Sequence, residues 1–214
     1  INKAAKKAGR CPDEIKLIAV SKTKPMDMIC EVASCGVIDF GENRPQELAE
    51  KFDKIQNVRW HLIGQLQKNK VKYIIDKAEL IHSVDSSGLA EEIEKRAAKI
   101  NKIQNILIQV NVSGEETKSG VAPEDAEGLI REISEMPHIR IKGLMTISVA
   151  GFSHDENKKI FAGLKELAEK IDRLQITNVS MEELSMGMTH DFEAAIEAGA
   201  TMVRVGTGIF GTRN

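Results

Sequence analysis

The stretch LIAVSKTKP, residues 17–25, sets Lys22 just past an apolar run of Leu17, Ile18, Ala19 and Val20. Such an amine either reaches solvent or acts as a nucleophile held at the mouth of a core. Arg204 is a second cation inside an apolar run, MVRVG, which continues into Thr207 and Gly208. LSMGMTHD offers Ser185 and Gly187 just before a helix expected to start near Thr189 and Asp191. Small residues, hydroxyls and backbone N–H groups in such loops suit a phosphate group. An amine beside a phosphate cradle fits two chemistries: a Schiff base with pyridoxal phosphate, or an aldolase-type attack on a phosphorylated sugar.

Elements must exist to bring these residues together. Eight β-rich runs recur: KLIAVS, VIDFG, VRWHLIG, ELIHSV, NILIQVNV, IRIKGLMTI, EELSMG and MVRVG. Between them the apolar period changes to that of helices, most clearly at Ile160, Phe161, Leu164, Leu167, Ala168 and Ile171. Pro25 and Pro123 suit first turns of helices, and Gly36 and Gly199 suit their ends. Strand–helix alternation predicts parallel pairing with right-handed crossovers. Units of about 27 residues predict a single-domain α/β fold, a (β/α)8 TIM-type barrel. An open doubly wound sheet would want a glycine-rich loop after an early strand, and SKTKP has no glycine. In a barrel the strand C-termini carry the chemistry, and its first and last strands are neighbours. Side-chain alternation then turns Lys22, with Ile18 and Val20, and Arg204, with Met202 and Gly206, toward the interior.

Composition narrows the partners. The 214 residues carry a formal net charge of -2, which gives no global attraction to nucleic acid or to an anionic membrane. Lys68, Lys70, Lys72 and Lys77 do not share one helical face, and aromatics for base stacking are only 4% of residues. A solvated surface helix accounts for those lysines. No apolar stretch approaches the roughly 20 residues of a membrane span, and nothing reads as a signal peptide. Three cysteines, an odd and sparse set, fit a reducing cytoplasm; Cys30 and Cys35 are expected in the core. The histidines show no metal-ligand spacing, and His61 is expected to be a satisfied core histidine. GEETKSG, residues 114–120, is either a cover for the site or a solvated loop. INKAAKKAGR reads as the last turns of a basic helix, so residues 1–214 are expected to be one domain lacking part of an N-terminal helix.

Together AVSKTKP, FGENRPQEL, WHLIGQLQKNK, HSVDS, QVNVSGEETKSG, GLMTI and LSMGMTHDFEAAIEAGATMVRVGTGIFG resemble the pyridoxal-phosphate homeostasis proteins. The fold of that family is similar to the N-terminal barrel of alanine racemase. One departure stands out: Arg44-Pro45 occupies the place where the family often has tyrosine and valine. The resemblance implies a protein that binds pyridoxal 5'-phosphate on Lys22 as a Schiff base and buffers or delivers it inside the cell. It implies a phosphate held by Ser185, Gly206 and Thr207, a pyridine nitrogen faced by Arg204, and a ring lined by Asn43 and Met145. Lys24 is the weaker candidate for the amine. The alternative is a racemase-like enzyme using the same cofactor, which needs a second acid–base group; the single tyrosine, Tyr73, is expected to pack on a helix instead. The expected partners are pyridoxal phosphate and apo-forms of enzymes that use it, without nucleic acid or membrane, with the chain working as a monomer.

Overall fold

The computed structural model describes residues 1–115, 118–149 and 151–211. In chain order the first elements are α1 (Asn2–Lys7), β1 (Lys16–Val20), α2 (Met26–Ser34), β2 (Asp39–Glu42), α3 (Pro45–Phe52) and β3 (Arg59–Leu62). A 3-10 helix, Lys68–Tyr73, leads to β4 (Ala78–Val84), α4 (Ser87–Lys99), β5 (Gln104–Gln109), α5 (Ala126–Ser134) and β6 (Ile139–Met145). The chain ends with α6 (His154–Asp172), β7 (Val179–Met188), α7 (Phe192–Glu197), β8 (Met202–Val205) and α8 (Thr207–Phe210). The strands pair in parallel, each with its sequence neighbour, and β1 pairs with β8 to close an eight-stranded barrel. All eight strands fall where β-rich runs predict them.

Alternation on each strand produces two apolar layers. The larger lies between strands and helices and holds Phe40, Trp60, Ile106, Phe161 and Val203. The smaller fills the barrel interior with Ile18, Val20, Ile63, Leu80, Leu107, Met145 and Met202. Helix α6 turns Phe161, Leu164, Ala168 and Ile171 fully inward and opens with a capping box between Ser153 and Glu156. Gly143 (φ +152°) is needed where β6 meets β7, since a Cβ there would stand 1.8 Å from the Glu183 carbonyl oxygen.

Three local expectations are corrected. Cys30 and Cys35 are exposed, not core. Helix α2 buries Ile29, so Cys30 is rotated about 100° away from that face, and Cys35 lies at the cap. Pro123 sits in a turn closed by Asp125 N–H to Ala122 O, and α5 starts only at Ala126. The lysine-rich stretch folds as a 3-10 helix, with Lys70 and Lys72 over the half-exposed Tyr73 ring, 5.5 and 5.1 Å from its centroid. Glu116 and Thr117 of the GEETKSG loop lie outside the described residues.

Candidate cofactor site

At the C-terminal (upper) mouth, Lys22 occupies a turn fixed from several sides. Lys24 N–H donates to Ser21 O at 3.0 Å, and Thr23 adopts φ +63°, which a β-branched residue rarely accepts. The turn is held by a buried ammonium: Lys51 Nζ donates to Ser21 O, Glu42 Oε1 and Glu47 Oε1 at 2.7–2.8 Å. Ser21 Oγ donates to Glu42 Oε1, and Thr23 N–H donates to Glu47 Oε1, at 2.7 and 2.6 Å. Burial pushes the Glu42 carboxyl above its ordinary range, against the pull of Lys51 and Ser21. Lys24 departs from Lys22: its ammonium donates to Phe210 O at 3.0 Å.

Lys22 itself is half-buried and lines a cavity of about 310 Å³ together with Val20, Asn43, Ile63, Thr189 and Arg204. Gly206 and Thr207 complete that side. This is the lower end of small-molecule sites, which run from about 300 to 1,000 Å³. Asn43 is held by close backbone approach: a Cβ on Gly64 would lie 2.3 Å from Asn43 O. Arg44, the departure from the family pattern, is exposed and outside the cavity lining.

Arg204 is buried beneath the cavity, donating Nη1–H to Ser185 Oγ at 2.7 Å and Nη2–H to Thr146 O at 2.8 Å. Burial lowers its pKa to about 10, which still leaves the guanidinium charged at neutral pH. Ser185 Oγ lies 2.8 Å from His82 Nδ1, and His82 Nε2 lies 3.0 Å from His61 Nδ1. His61 Nε2 reaches Asp39 Oδ1 at 2.9 Å, and Arg59 grips both Asp39 oxygens at 2.7 Å. Asp39 is held down to about 2: burial is the largest influence and opposes this, but bonds from His61 and Arg59 outweigh it together. His61 is thus a satisfied core histidine, as its place beside Trp60 predicts.

Five predicted site residues therefore meet on the cavity: Lys22, Asn43, Arg204, Gly206 and Thr207. Two do not line it. Ser185 is fully buried with its hydroxyl committed to His82 and Arg204, and Met145 is fully buried in the inner apolar cluster beside Val20 and Ile63. Sequence reasoning passed over Thr189, whose Oγ1 accepts from Gly206 N–H at 3.3 Å and lines the cavity beside it. The signal was present: a hydroxyl just beyond Gly187, itself at φ +89°, in the loop leading to α7. Among the described residues, no cluster of histidine, cysteine or acidic groups could hold a metal ion, and no helix is long and apolar enough to cross a membrane.

The family model for the alanine racemase N-terminal domain matches residues 1–214. The pyridoxal phosphate homeostasis protein of Aquifex aeolicus is 47% identical over 215 residues, covering 100% of this chain and 93% of the relative. The structure of PipY from Synechococcus elongatus with pyridoxal phosphate bound is 33% identical, with a TM-score of 0.86 over 98% of this chain and 99% of that one. Alanine racemase of Clostridium difficile shares the fold alone, at 17% identity and a TM-score of 0.79, over 99% of this chain and 55% of that one. The chain belongs to the pyridoxal phosphate homeostasis protein family.

Proposed function

We infer that this chain binds pyridoxal 5'-phosphate at the upper mouth and serves cofactor homeostasis, buffering or delivering it without robust turnover. The observation that carries the reading is the convergence of Lys22, at the end of β1, and Arg204, in β8, on one cavity also lined by Thr189, Gly206 and Thr207. The bound cofactor supplies a reactive aldehyde, an anionic phosphate and a pyridine nitrogen. Lys22 presents its amine to the aldehyde. Thr189, Gly206 and Thr207 take the phosphate, while Asn43 lines the ring. Arg204 faces the pyridine nitrogen, and Ser185 and Met145 act from behind, the first by holding Arg204 and the second by backing the apolar wall.

The chemistry of Arg204 supports holding over turnover. A guanidinium donates only, and its charge disfavours a protonated pyridine, so the ring is a weak electron sink. The single tyrosine points the same way, since Tyr73 lies against lysines outside the cavity lining. Free, exposed cysteines suit a cytoplasmic setting, and apo-forms of enzymes that need the cofactor are the recipients.

Borohydride reduction after loading, followed by peptide mass analysis, tests the site. The label is expected on Lys22 and is abolished in Lys22→Ala; a label on Lys24 overturns the assignment. Reactivation of an apo-enzyme faster than by equal free cofactor marks delivery, and an equal rate marks buffering. Robust racemisation of an amino acid by the pure protein would overturn the carrier reading.

A further inference from the structure

A line of buried polar side chains crosses the barrel interior beside an apolar cluster that could have filled the space. We propose that Asp39, at the opposite mouth of the barrel, positions Arg204 through His61, His82 and Ser185, so that the guanidinium meets a bound cofactor in one orientation. The proposal rests on the reading of Arg204 given above and assigns these four residues a positioning role.

The two ends of the line have a single hydrogen-bonding role each. Asp39, ionised with a pKa of about 2, accepts only, and Arg204 donates only. Each group between them can give one hydrogen bond and take one. With both imidazoles neutral, one direction satisfies every contact. Arg204 Nη1–H donates to Ser185 Oγ, and Ser185 O–H to His82 Nδ1. His82 Nε2–H donates to His61 Nδ1, and His61 Nε2–H to Asp39 Oδ1. A proton added to His82 would put a second cation into the core near Arg204. Burial, His61 and Arg204 hold His82 well below the ordinary imidazole range. The far end is anchored in turn, because Arg59 grips Asp39 with two bonds. No proton moves along the line; it acts by fixing tautomers and, through Ser185, one arm of the guanidinium. Thr146 O fixes the other arm.

A line that merely filled space would not need one direction, and a polar core that is only structural is often replaceable by apolar residues of similar volume. Side-chain nitrogen shifts of the 15N-labelled, cofactor-free protein at neutral pH test the direction. Both His61 and His82 are expected to carry hydrogen at Nε2 and none at Nδ1. An Nδ1–H tautomer or a doubly protonated ring at either position overturns the proposal. Titration with pyridoxal phosphate tests the consequence. Ser185→Ala is expected to weaken binding about tenfold and Asp39→Asn by a smaller factor, both with a changed absorption spectrum of the bound cofactor. A wild type that binds, with folded variants indifferent in affinity and spectrum, overturns this proposal alone. A wild type that takes up no cofactor overturns the binding reading as well. Should either variant fail to fold, the tautomers of the wild type still decide.

Discussion

The two mouths of the barrel carry the same kinds of charged side chain and arrange them in opposite ways. At the lower mouth cations meet carboxylates directly: Arg59 with Asp39, Lys16 with Glu183, Lys142 with Glu182. At the upper mouth Glu42 and Glu47 are gathered behind the strand ends around Lys51, and Arg204 donates to two neutral oxygens, with the buried Asp191 carboxylate acting on it only through space. A cation matched by a carboxylate is neutralised locally. One held by a hydroxyl and a carbonyl, with a carboxylate only at a distance, keeps more of its field for whatever enters the cavity. The contrast follows the division general to this fold, in which the lower rim serves stability and the upper one chemistry, with Asp39 reaching across it through His61.

The comparison is most easily broken at Lys51. Lys51→Met strands two carboxylates, one of them fully buried, and is expected to cost about 3–5 kcal/mol in urea unfolding. A cost under about 1 kcal/mol would show that the clamp on the Lys22 turn is ornamental.

Next comes Asp39. Its folded pKa is depressed to about 2 from 3.8, so its contribution is complete above the ordinary carboxylate range and is lost as pH falls through about 2. The shift corresponds to about 2 kcal/mol. Wild type should therefore lose stability between about pH 4 and pH 2 more steeply than Asp39→Asn, and parallel curves would remove Asp39 from the account. The smallest effect is expected at the lower rim's exposed pair: Lys142→Ala should shift stability by less than about 0.5 kcal/mol.

Strand number, barrel closure and the inward turn of Lys22 and Arg204 were legible because alternation along a strand is a two-valued property. Depth along the barrel axis is not. The pairing of β7 with β8 sets Ser185 level with Met202 and Met188 level with Arg204. Ser185 therefore lies below the guanidinium, and Thr189, farther along the chain, reaches the height of the cavity. A reading that treats each strand end as equally high therefore sets Ser185 on the cavity, where the structure has Thr189. The relay from Asp39 was illegible for a related reason. Its members come from β2, β3, β4, β7 and β8, and no spacing in the sequence connects them. Helix faces failed only where a residue sat at the edge of an apolar stripe, as Cys30 does beside Ile29.

Closure of the barrel by β1 against β8, with Ile18 opposite Arg204 and Ala19 opposite Val205, has a consequence for synthesis of the protein. The amine of Lys22 leaves the ribosome first, and Arg204 emerges about 180 residues later. No nascent fragment holds both, so the cavity comes into being only when the last strand docks on the first. Possession of the site is in this way a certificate that every strand from β1 to β8 has been made and joined.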